Sequence, residues 1–68
     1  MEEFAYYVMR WHWNGSEGYD PETVFESKTE QEAREFFDKF SVNIDDPCAE
    51  LWEIGEDDNI LIDRKEAE

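Results

Sequence analysis

Phe4-Ala5-Tyr6-Tyr7-Val8-Met9-Arg10-Trp11-His12-Trp13 is the longest apolar run of the chain, and it holds neither Gly nor Pro. Aromatic and β-branched residues of this kind suit a pleated, half-buried surface, so the run predicts the long strand on which the rest is hung. Alternation divides it into two sets. Ala5, Tyr7, Met9, Trp11 and Trp13 point one way; Phe4, Tyr6, Val8, Arg10 and His12 point the other. Both sets are apolar at the start, which suits a central strand covered on both sides or a sheet with one face left for a partner. The Trp11 set is the bulkier and is assigned to the main core.

Outward from this strand, residues 14–22 read as a loop of Gly, Asn, Ser and Asp ending in Asp20-Pro21. Residues 23–27 read as a short strand returning as a hairpin, with Val24 and Phe25 on opposite faces. Thr29-Glu30-Gln31-Glu32 is a capping-box signature, in which the Thr and Glu side chains each satisfy a backbone donor. Ala33, Phe36, Phe37 and Phe40 follow at the spacing of one helical face, which predicts a helix over 30–40. Glu30 with Arg34 and Glu35 with Lys39 are spaced as ion pairs four apart. Residues 41–47 form a connection, with Asn43 suited to ending the helix and Asp46-Pro47 to a turn. Residues 48–54 predict a strand with Ala49 and Leu51 on one face and Trp52 and Ile54 on the other. Gly55-Glu56-Asp57-Asp58-Asn59 is a turn, residues 60 to 63 or 64 a last strand, and residues 65–68 a frayed acidic tail. The expectation is a single α+β domain over 1–68: a small antiparallel sheet of about four strands with one helix on one face, in the order ββαββ.

Charge is the outstanding property. Twenty Asp and Glu stand against six Lys and Arg, a formal net of −14 on 68 residues. Direct binding to nucleic acid or to anionic lipid is disfavoured by this balance. No run approaches the length of a membrane span, the N-terminus is acidic rather than basic, and Cys48 is the sole cysteine, all of which suits a cytoplasmic protein. An apolar fraction of 40%, with 16% aromatic, argues for a folded chain.

The acid falls in clusters: Glu17, Asp20, Glu22 and Glu26; Asp45, Asp46, Glu50 and Glu53; and Glu56, Asp57 and Asp58. Held on a rigid sheet, such rows offer a fixed negative array to a groove lined with Lys and Arg, while a few aromatics supply the hold. The plain counter-reading is a solvated surface that keeps the chain dissolved. The 56–58 run departs from a calcium loop, whose ligands alternate around a central Gly, so no metal and no cofactor is assigned. His12 is the single histidine; with Cys48 it makes a base and nucleophile only if the fold unites them. No catalytic set is present, and the chain is read as a non-enzyme. A helix with one apolar face cannot cover both sides of the sheet, so some of Tyr6, Val8, Trp13 and Trp52 are expected to be partly exposed.

In size, acidity and aromatic content the whole chain resembles the small acidic inhibitors that phages make against host enzymes acting on nucleic acid. These include DNA mimics aimed at restriction enzymes, uracil-DNA glycosylase inhibitors and anti-CRISPR proteins. The likeness is one of type, without a shared motif, and it assigns no residue. It implies an inhibitor whose partner is a basic host protein, met in its nucleic-acid-binding groove. The acid clusters and aromatics themselves, and not the likeness, nominate Glu17, Asp20, Glu22, Glu26, Glu53, Glu56, Asp57 and Asp58 as contacts, with Trp52 and Tyr6 as aromatic contacts. The alternative is an interaction module or homodimer using an aromatic sheet face, with the acid serving solubility only.

Carboxylates at this density repel one another, and salt screens the repulsion. Moderate salt should therefore raise the melting temperature, measured by circular dichroism. A flat response would contradict a self-repelling surface.

Overall fold

The computed structural model describes residues 4–67. Strands β1 (Tyr6–Trp13) and β2 (Tyr19–Ser27) precede helix α1 (Glu30–Lys39), and strands β3 (Cys48–Glu53) and β4 (Ile60–Glu66) follow it. The four strands make one sheet in the order β2-β1-β3-β4, with every neighbouring pair antiparallel. The architecture is α+β in the sequence order ββαββ, as the patterning implies. β1 lies inside the sheet, as suits a strand apolar on both faces.

Helix α1 begins where its capping residues direct. Thr29 is extended, and its hydroxyl oxygen accepts the Glu32 N–H at 3.3 Å. Glu32 does not close the reciprocal half of the box on a backbone donor; its carboxylate accepts the Thr29 hydroxyl at 3.2 Å. Phe40 ends the helix, with its N–H bonded to the carbonyls of Phe36 and Phe37. Asn43 therefore does not end the helix; it organises the next loop, where its side chain accepts the N–H groups of Asp45 and Asp46. Arg34 also departs from the helical pairing, because it reaches across to Asp63 on β4 at 2.8 Å. Glu35 accepts from Gln31, not from Lys39.

The core is Val8, Ala33, Phe37, Ala49 and Leu51, with Tyr6, Val24, Phe25, Phe36, Phe40, Val42 and Ile62 packed around it. Val8 and Leu51 are Cα partners across β1 and β3, and both are 0% exposed. Each burial of this kind contributes roughly 1.5–3 kcal/mol. The helix thus sits on the Val8 set and not on the Trp11 set, contrary to the bulk of the side chains. Packing explains the choice. Ala33 on the helix and Ala49 on the sheet are both fully buried, and their small side chains let the two layers approach. Indoles at those positions would hold the helix away.

Three further differences have local causes. β2 starts at Tyr19 rather than Thr23, because an edge strand tolerates Pro21, whose missing N–H has no ladder partner to serve. A bulge between Val8 and Met9 places Phe25 opposite Val8 and Thr23 opposite Met9; Val24 is the extra residue, so Val24 and Phe25 both turn to the core. β4 runs on to Glu66, since Lys65 and Glu66 pair with Ala49 and Cys48, and the Lys65 ammonium donates to the Phe37 carbonyl at 2.5 Å. No helix is long and apolar enough to cross a membrane among the described residues.

Leu51→Ala should cost about 2–5 kcal/mol in urea unfolding. Thr29→Ala should cost about 1 kcal/mol through the lost cap. Met9→Ala, on the face away from the helix, should cost less than Leu51→Ala. The reverse order of Leu51 and Met9 would contradict this placement of the core.

Candidate functional site

The alternation of β1 that seats Tyr6, Val8, Arg10 and His12 on the helix side sends Tyr7, Met9, Trp11 and Trp13 to the other. Trp52, Glu50 and Cys48 of β3 lie opposite Tyr7, Met9 and Trp11 on that same open face. Its centre is stitched together. Tyr7 and Trp52 stack with ring centroids 6.3 Å apart, and the Trp52 indole N–H donates to Glu50 at 3.0 Å. Glu50 is nearly buried, and its other oxygen lies 3.5 Å from the Arg64 guanidinium. Arg64 also donates to the Cys48 sulfur and pairs with Glu66, and these partners hold its protonated form more firmly than usual. Asn59 donates to the Tyr7 hydroxyl.

Beyond this centre, where β1 ends, the surface is differently made. Trp13 and Tyr19 face each other across the hairpin in an edge-to-face contact at 5.1 Å. They are 40% and 47% exposed, and Ile44 beside them is 87% exposed. Trp13, Tyr19, Ile44 and Asp45 line one shallow depression; Tyr19 and Ile44 also line a second, with Val42 and Pro47. This apolar tip is set by two ordered loops. The Asn14 side chain accepts the N–H groups of Ser16, Glu17 and Gly18, while Gly15 takes a positive φ of 93°. The loop at 41–47 is bound to β1 through the Trp13 N–H, which donates to the Asp45 carbonyl at 2.9 Å.

Asp46 fastens that loop a second time. Its carboxylate takes the Arg10 guanidinium at 3.0 Å and the His12 ring at 2.5 Å, with only 14% of its side chain exposed. Arg10 also pairs with Glu22 at 3.0 Å. The Arg10 Nε is buried with no partner among the described residues. His12 and Cys48 stand on opposite faces of the sheet, so they do not form a base and nucleophile pair.

The sequence-predicted acids do not gather in one patch. Glu17, Asp20 and Glu22 lie at the Trp13 end of the sheet. Glu53, Glu56, Asp57 and Asp58 lie at the Tyr6 end, in or beside the β3–β4 turn, and Glu26 sits opposite Tyr7 on the outer strand of the open face. Of these eight, Glu22 is neutralised by Arg10; the other seven make no ion pair among the described residues. Four of the six cations, Arg10, Arg34, Arg64 and Lys65, are bonded to partners within the fold. Tyr6 lies on the helix side against the core, across the sheet from Trp52, and so does not share a surface with it. Burial, with Glu53 and Glu30 nearby, raises the Tyr6 hydroxyl above its ordinary range. Among the described residues no group of His, Cys, Asp and Glu is placed to hold a metal ion.

Ile44 was beyond the reach of periodicity. Its one signal was an isolated apolar residue inside the Asn43–Pro47 turn. Comparison with known protein families, curated proteins and solved structures returned no match.

Asp63 is held below the ordinary carboxylate range by the Arg64 backbone N–H and then by Arg34. A lowered folded-state pKa stabilises the fold above the unfolded value of ~3.9 and loses that contribution as pH falls through the folded value. The stability gap between the wild type and Asp63→Asn should therefore be widest near neutrality and close below about pH 4. A gap independent of pH would contradict the ion pair.

Proposed function

We propose that this chain is a non-enzymatic acidic binding protein that occupies a basic, nucleic-acid-binding surface of another protein and so inhibits it. The observation that carries the reading is that seven of the eight predicted carboxylates make no ion pair among the described residues. Here the acid is directed outward and is free to steer association with a cationic partner.

The spacing supports the same reading. The two acidic ends of the sheet are separated by the length of β1, about 23 Å at ~3.3 Å per residue. That span matches about seven base-pair steps at ~3.4 Å each, so the two ends can meet separate cationic stretches of an elongated groove. The aromatic open face between them supplies apolar area for the hold. A second reading rests on the same uncovered face: Leu61 and the Tyr7–Trp52 stack suit an interaction module or a homodimer, with the acid serving solubility. Sedimentation at two salt concentrations separates the two, since a homodimer of this charge would weaken as salt is removed.

Affinity capture from lysate of the source cells, at low and at moderate salt, tests the first reading. The retained protein should be basic, should be released by moderate salt, and should be displaced by competing duplex DNA or RNA. Reversing Glu56, Asp57 and Asp58, or Glu17 and Asp20, to lysine should slow association by about an order of magnitude. Retention indifferent to salt, nucleic acid and both reversals would contradict it.

A further inference from the structure

The apolar tip at the Trp13 end stands apart from the rest of the open face. The polar atoms of Tyr7 and Trp52 are used within the fold, by Asn59 and Glu50. The Trp13 indole N–H and the Tyr19 hydroxyl bond to no described residue. An exposed Ile is unremarked when it is single and mobile. Ile44 is neither: it adjoins Trp13 and Tyr19 in one depression, and its loop is held by the Asn43 side chain, by the Asp45 carbonyl and by the Asp46 carboxylate. A loop held in place before binding loses little backbone freedom on binding, which favours an interface anchor.

Charge around the tip restricts what can cover it. Asp45 lines the same depression and Glu17 lies in the hairpin loop; neither is paired with a cation among the described residues, while Asp20, opposite His12, faces the helix side of the sheet. Arg10, on the other face of β1, is already taken by Asp46 and Glu22. A second copy of this chain would bring the same carboxylates against these, and nucleic acid or anionic lipid would bring phosphates. The complementary occupant is an apolar pocket ringed by arginine or lysine.

We propose that Trp13, Tyr19 and Ile44 form the anchor that seats the chain in such a pocket of a basic partner protein, with Asp45 and Glu17 meeting the cationic rim. This rests on the reading of the chain as an acidic binder and names the part of it that holds. Asp46 is a positioning residue: bonded to Arg10 and His12, it fixes the loop that presents Ile44.

The test uses a short peptide of alternating leucine and arginine as probe, with a leucine and glutamate peptide as control. The Ile44 methyl groups and the Trp13 indole are followed by NMR. Shifts should concentrate at Trp13, Tyr19 and Ile44 with the arginine peptide and be absent with the control. Ile44→Ala should weaken binding about tenfold and leave the melting temperature unchanged, because Ile44 has no part in the core. Neutralising Glu56, Asp57 and Asp58 together should weaken it by less than about threefold. Unchanged affinity in Ile44→Ala, or shifts centred on the 55–59 turn or on the helix, would overturn the anchor. Those results leave the acidic-binder reading standing, whereas a salt-indifferent partner not displaced by nucleic acid would remove that reading itself.

Discussion

The contact between Val8 and Leu51, roofed by Ala33 and Phe37, decides which side of this sheet is inside. A chain of this size has one helix to spend on two sheet faces. The side that accepts it must be small enough to let it close, and Ala49 beside Leu51 makes it so. The larger side chains of β1 are then turned outward with no layer to cover them. The open aromatic face is thus a consequence of how the core is closed.

Electrostatics follows from the same arrangement. The few cations are placed where the fold needs a tie: Arg34 to Asp63, Lys65 to the Phe37 carbonyl, Arg64 to Glu50 and Glu66, and Arg10 to Asp46 and Glu22. The Arg34, Lys65 and Arg10–Asp46 ties join elements distant in sequence. With four of its six cations tied to partners within the fold, the molecule presents unpaired acid at both ends of an aromatic surface. Charge that would weaken a solitary small domain becomes useful when a cationic surface neutralises it. In the proposed function, repulsion in the free state and attraction in the bound state would come from the same carboxylates.

Much of the fold was legible in the sequence because local signals and global need agreed. The capping residues and the Ala33-Phe36-Phe37-Phe40 stripe point to one helix, and the turn residues divide four strands. The choice of core face was not legible, since it turns on which residues of β3 and α1 meet β1, a fact of tertiary register that side-chain bulk misrepresents. The extension of β4 depended on pairing with Cys48 and Ala49, which no local pattern in Lys65-Glu66 reveals. Of the candidate site, the acidity was visible but its distribution was not. The sequence clusters fall at opposite ends of the sheet, Glu22 is consumed by Arg10, and Tyr6 lies beneath the helix. Ile44 carried little signal, since a lone apolar residue in a turn has no period to betray it.

The central claim is that the chain binds through the side of the sheet away from its helix, and most of all through its Trp13 end. Amide hydrogen exchange of the chain, free and in complex with its captured basic partner, measures this most directly. The account predicts slowed exchange over residues 14–20 and 41–47 and unchanged exchange over the helix, Glu30–Lys39. Slowing confined to the helix, or to the 55–59 turn alone, would contradict it.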